Sequence, residues 1–184
     1  ANPSDETVNT PSAVGKSEVV KTGANPAGGV EEKVLIIDAS KLSSTATTQD
    51  MTYTYQGVDV VFSKGAKSQK SNAAQNSFSD AAAILIGKKD TYIYNKTAIP
   101  GIIKKFEIYS NAGASKSVSV GVNFSSSAIT KYDSKASYTY TATLSTVDHV
   151  YDCSSKLPTD AKYFWYQVTN ANNSQVQFRI TYVE

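Results

Sequence analysis

The residues of this chain that could carry out chemistry crowd into one stretch, Val147-Asp148-His149-Val150-Tyr151-Asp152-Cys153, which holds an acid, the only imidazole and the only thiol of the 184 residues. An acid, an imidazole and a nucleophile that meet in space are what acyl transfer requires. On an extended strand, however, Asp148 and His149 point to opposite faces, and His149 and Cys153 stand about 13 Å apart at ~3.3 Å of rise per residue. A serine nucleophile in place of the thiol would need a strained turn to present it, and no G-x-S-x-G elbow occurs in the sequence. Asp148 and Asp152 surround the thiol with negative charge, the opposite of the electropositive setting that makes a cysteine reactive. Cys153 therefore reads as a small apolar filler near a strand end. A single cysteine closes no disulfide within the chain and builds no cysteine cage for a metal.

Paired carboxylates could hydrolyse a glycosidic bond without histidine, and Glu107, Asp133, Asp148, Asp152 and Asp160 are available for that role. Asp133, Asp152 and Asp160 sit beside Ser, Lys or Pro in turns, where acids serve to cap the backbone. The D-x-D-x-D-G spacing of a calcium loop is missing. The expectation is a chain with no catalytic residues, no metal ligands and no cofactor.

Aromatic residues offer a different chemistry. Twelve tyrosines and one tryptophan include four pairs spaced to share a strand face: Tyr53 with Tyr55, Tyr92 with Tyr94, Tyr138 with Tyr140, and Tyr163 with Trp165. Such pairs can stack sugar rings, and they can equally fill a sandwich interior or a cross-strand ladder. Tyr163-Phe164-Trp165-Tyr166 differs in kind, because four consecutive aromatics must occupy both faces of a strand. One of those faces is not a simple core: either the strand is covered on both sides, or its outer aromatics, an outward Trp165 first and Tyr163 beside it, meet a ligand or a protein neighbour.

The elements that would position these residues are short and alternating. Lys33 to Asp38, Met51 to Tyr55, Val58 to Ser63, Ala81 to Gly87, Thr91 to Asn95, Gly101 to Tyr109, Ser117 to Phe124 and Ser137 to Leu144 all read as strands. In Ser117 to Phe124 the residues Val118, Val120, Val122 and Phe124 share one face. Gln56-Gly57 and Lys88-Lys89-Asp90 suggest hairpin turns, and Asn170-Ala171-Asn172-Asn173 is expected to join Tyr163–Thr169 to the closing strand as a hairpin. The stretches Ser40 to Asp50 and Lys64 to Asp80 read as surface loops suited to specificity. Helical spacing is almost absent. About ten strands of this kind define an all-β chain folded as an antiparallel β-sandwich, jelly-roll or immunoglobulin-like, over residues 33–184.

Residues 1–32 are different in composition. They contain no aromatic residue, only scattered valines, and many Ser, Thr, Asn, Gly and Pro, too little apolar surface to offset their own ordering entropy. They read as an extended arm that takes its shape from another surface, a neighbouring protein first, though packing back on its own domain would also order it, with Val14, Val19, Val20, Pro26 and Val30 as anchors and Ser17 to Thr22 adding a strand to an exposed sheet edge. Neighbouring subunits, in a homo-oligomer or a larger assembly, are the expected partners. A formal charge of +2 from 18 basic and 16 acidic residues dispersed along the chain leaves no broad positive surface for nucleic acid. The longest apolar runs, Val34 to Ile37 and Ala81 to Ile86, are too short to insert into a bilayer.

Two family resemblances follow. Ala98 to Phe124, with Ile99-Pro100-Gly101-Ile102-Ile103-Lys104-Lys105-Phe106-Glu107-Ile108-Tyr109 leading to Val118-Ser119-Val120, resembles the β-sandwich modules of bacterial surface proteins and carbohydrate-binding domains, and Tyr163-Phe164 to Tyr182 looks like the end of the same modules. The whole chain resembles bacteriophage head-decoration and head-fibre proteins, in which a polar arm, here punctuated by Asn25-Pro26-Ala27-Gly28-Gly29, precedes a compact β-domain. The second resemblance implies a non-enzymatic auxiliary capsid protein on the virion surface, with the arm laid over capsid subunits. The first implies a secreted or cell-surface module that binds a glycan. A subunit of an extracellular filament or surface layer shares the assembly physics of the virion reading.

Overall fold

The computed structural model describes residues 18–21, 31–69, 78–79, 81–110, 117–130, 137–145 and 147–184. Among these residues thirteen strands form two sheets packed face to face: β1 (Glu18–Lys21), β2 (Glu31–Ile37), β3 (Met51–Tyr55), β4 (Val58–Phe62), β5 (Lys67–Gln69), β6 (Ala83–Ile86), β7 (Tyr92–Asn95), β8 (Ile102–Ser110), β9 (Val118–Ser125), β10 (Tyr140–Leu144), β11 (Val150–Asp152), β12 (Tyr163–Val168) and β13 (Ser174–Val183). Short 3-10 turns at Ala39–Lys41 and Ser154–Lys156 interrupt them, and no α-helix occurs among the described residues. Every strand pair is antiparallel. The chain is thus an antiparallel β-sandwich, as its alternating segments predict.

One sheet has six strands in the order β10-β9-β12-β7-β4-β3. In the other, of seven strands, β13 pairs with β8 along one edge and with β6 and then β2 along the opposite edge; β11, β5 and β1 lie outside β8, β6 and β2. The period-two alternation builds the interior. Phe106 sits among Phe124 and Phe164 from the six-stranded sheet and Phe178 from its own, at ring separations of 5.1, 5.1 and 5.7 Å. Burying each such side chain contributes roughly 1.5–3 kcal/mol.

The connectivity departs from expectation at the C-terminus. Asn170–Asn173 does not make a hairpin, because β12 belongs to the six-stranded sheet and β13 to the other. The connection is an arch: Tyr166 and Phe178 meet edge to face across the interior at 4.9 Å rather than lying side by side. Asn170 and Asn172 hold the arch by side-chain hydrogen bonds to Ser117 and Ser119 at the start of β9. Lys88-Lys89-Asp90 likewise crosses between sheets, from β6 to β7. The Gln56-Gly57 turn does form a hairpin, joining β3 to β4 with φ of 50° and 79°, the left-handed pair that a tight two-residue turn demands.

The described parts of the two expected loops, residues 40–50, 64–69 and 78–79, pack onto each other and onto the sheets. Residues of one bond to the other through Thr47 N–H to Ala66 O and Ser68 N–H to Ser43 O, and β5 lies inside the second. Phe78 folds onto the outer face of the seven-stranded sheet, where it packs with Val34, Ile36 and Tyr109 under the Arg179 guanidinium. That second small core explains why Val34 to Ile37 is buried on both faces.

Candidate functional site

The outer face of the six-stranded sheet carries a cluster of aromatic rings. Strand β7 turns Ile93 and Asn95 inward and Tyr92 and Tyr94 outward, while β12 turns Phe164 and Tyr166 inward and Tyr163, Trp165 and Gln167 outward. Register places Trp165 beside Tyr94 and Gln167 beside Tyr92. The Trp165 indole stacks on Tyr94 with ring centres 4.4 Å apart and planes 18° apart, and Tyr92 tilts over it at 4.8 Å.

Polar groups fix these rings. The Trp165 indole N–H donates to Gln167 Oε1 at 2.8 Å, and Gln167 Nε2 donates in turn to Asp90 Oδ1 at 3.4 Å. The Tyr92 hydroxyl donates to Asp50 Oδ2, and Asp50 Oδ1 accepts the Lys64 backbone N–H at 2.9 Å. Burial, followed by the hydrogen bond and charge of Asp50, pushes the Tyr92 phenol up to about 12. The same two causes, burial and then the Asp50 charge, raise Tyr94. Both hydroxyls are therefore neutral donors at any physiological pH.

The far side of the cluster depends on a glycine. Gly121 lies on β9 opposite Gln167, and a Cβ there would stand 2.3 Å from Cγ of Tyr138, inside its ring. Only glycine lets that ring rest on the sheet. Tyr138 and Tyr140 consequently do not share a face. The chain bends at Thr139, whose N–H and hydroxyl both donate to Asn123 Oδ1, so Tyr138 covers the outer surface while Tyr140 packs toward the interior.

Trp165 is outward, and its strand is covered on both sides. Its side chain does leave the interior, but it is only 4 % exposed, because an indole on a sheet surface buries its apolar area against any ring its neighbours supply. Tyr92 and Tyr94 present the accessible surface instead, and Tyr163 is half-buried on the same face. Of the arm residues, Val19 and Val20 lie in β1, paired with Lys33 and Glu32 of β2; the strand expected on a neighbour's edge lies on the edge of its own sheet. Val14, Pro26 and Val30 lie outside the described residues.

The acid, imidazole and thiol do not converge. His149 Nδ1 meets Ser110 O at 2.9 Å and so carries the proton, while the Cys153 N–H bonds Phe106 O, four residues away along β8. Cys153 is buried and its thiol is pushed up, by burial first and then by the Asp152 charge. Asp152 caps the Ser154 N–H at 2.8 Å, and Glu107 pairs with Lys105 at 3.5 Å. Asp133 lies outside the described residues. Among the described residues no His, Cys, Asp and Glu side chains gather into a metal-ligand group, and no helix is long and apolar enough to cross a membrane.

Sequence reasoning missed Asp50, Asp90, Gly121 and Gln167. Gly121 alone carried a signal, a glycine inside a valine-alternating strand, which marks a close approach. The chain matches no protein-family model and no curated protein.

Proposed function

We propose that this chain is a non-enzymatic binding module that takes a neutral saccharide on the outer face of its six-stranded sheet, outside the cell or at its surface. The Tyr92–Tyr94–Trp165 stack carries the reading. The outward side of a two-sheet sandwich is ordinarily polar, and Tyr92 and Tyr94, backed by the buried Trp165 indole, give there a rigid apolar surface suited to the C–H face of a pyranose. Around it stand the exposed Asp50 and Asp90 as hydroxyl partners, and the exposed Lys64 and Lys89, on the segments that carry or bond the two acids, add the other sign of charge to the rim. A mixed rim suits an uncharged polyol better than a polyanion. Native gel electrophoresis through soluble neutral polysaccharides, followed by calorimetry on those that retard the protein, tests the reading. Tyr94→Ala and Tyr92→Ala should each weaken binding about tenfold or more with the fold intact. Unretarded migration in every neutral glycan would sink it.

A second reading rests on the pairing of β1 with β2. Residues of the N-terminal arm can satisfy a sheet edge, and the same backbone pattern suits the edge of another subunit. This supports a structural protein of a multi-subunit assembly, such as a capsid-decorating or head-fibre protein at a virion surface, or a filament or surface-layer subunit. Deleting residues 1–30 should then leave a folded sandwich by circular dichroism and abolish incorporation into particles.

A further inference from the structure

The geometry points to a second surface, a self-pairing flank in which β10 of one copy joins β10 of another as a continuous antiparallel sheet. Strand β10 is an edge of the six-stranded sheet, and an edge strand presents alternate N–H and C=O groups to whatever lies beside it. Proteins blunt such edges with charges, prolines or bulges. The other outer strands follow that rule: β1 carries Glu18 and Lys21, β5 carries Lys67, β11 carries Asp152, and β3 is preceded by Asp50. Strand β10 does not. From Ser137 to Ser145 the sequence is Ser-Tyr-Thr-Tyr-Thr-Ala-Thr-Leu-Ser, without a charge or a proline.

A second observation falls on the same flank. Five residues after β10 the chain reaches β11, the edge of the other sheet, and the Tyr151 hydroxyl accepts the Ser145 N–H at 2.7 Å, which ties the two edges together. The large apolar side chains left exposed among the described residues are Val147, 78 % exposed, and Val150, 39 % exposed. Val147 lies in the connection between β10 and β11, and Val150 opens β11. An uncharged edge with bare valines at its end is what a covered surface looks like before it is covered.

The pattern of β10 fits its own copy. With a two-fold axis through Ala142, Tyr140 of one copy stands opposite Leu144 of the other, extending the inner face, and Thr141 stands opposite Thr143 on the outer face, a favourable cross-strand pair. The contact is short and lies on the flank away from β1, so it forms a dimer that dissociates on dilution.

Sedimentation velocity of the full chain over a wide concentration range tests this. The wild type should move from monomer to dimer as concentration rises. Thr141→Lys with Thr143→Lys sets like charges opposite each other in that register and should weaken the dimer about tenfold or more. Thr141→Lys with Thr143→Glu sets a lysine opposite a glutamate at both positions and should keep it. Both threonines are exposed, so both variants fold, which their thermal melts confirm. A wild type that stays monomeric at every concentration overturns the proposal. So does a double-lysine variant that dimerises like the wild type, and so does a lysine–glutamate variant that dissociates as the double-lysine one does.

Discussion

Asn95 Oδ1 accepts the Phe164 backbone N–H at 2.8 Å, one position beyond Tyr94 and Trp165, where the backbone pairing of β7 with β12 ends. The same carboxamide donates to Thr97 O and to Lys162 O, each at 2.9 Å. A buried side chain thus takes over from the ladder at the base of the aromatic cluster. Asn95→Ala would leave the Phe164 N–H buried without a partner, at a cost of about 2–3 kcal/mol. Chemical denaturation should show that loss as a lower midpoint with an unchanged slope.

Gly121→Ala drives a methyl group into the Tyr138 ring. The ring can swing aside, so the expected cost is about 1–2 kcal/mol. Removing the ring as well, in Gly121→Ala with Tyr138→Ala, should recover part of that loss, since the clash has gone and alanine suits a strand better than glycine. Additive losses in thermal unfolding would show that the two residues do not meet.

Phe78→Ala opens the small core on the outer face of the seven-stranded sheet. Val34 and Ile36 lose their cover, while the main interior is untouched. Stability should fall by about 2–4 kcal/mol, and the exposed patch should bind a hydrophobic dye while far-ultraviolet dichroism keeps its strand signature.

The tyrosines should titrate in groups. Tyr92 and Tyr140 are both pushed up to about 12 from the ordinary 10.0, by burial first, with Asp50 adding at Tyr92 and Cys153 at Tyr140. Tyr55 and Tyr166 are raised further by burial. A phenol raised in the folded state keeps its proton while the unfolded chain loses one, so its stabilisation is complete below pH 10.0 and is lost as pH climbs through about 12. Absorbance of the phenolate should show a step near 12 from Tyr92 and Tyr140 and reach completion only on unfolding. Tyr92→Phe should remove part of that step and lessen the alkaline fall in stability.

The period-two alternation was legible along the chain, and with it the all-β class, the inward set Val118, Val120, Val122 and Phe124, and the Gln56-Gly57 turn. These are local properties: a side chain's face follows from its place in the pleat, and a left-handed turn from the residues that tolerate it. The two-faced character of Tyr163-Phe164-Trp165-Tyr166 was legible for the same reason. Which strand lies beside which was not. Strands β12 and β13 carry the same alternation whether they lie side by side or face each other, and only the competing pairings of β9 and β7 for β12, and of β2, β6 and β8 for β13, decided for the arch. The cover over Trp165 by Tyr92 and Tyr94 and the seat of β1 on β2 were decided in the same way, because they are contacts between segments far apart in sequence, whose strengths no single segment encodes.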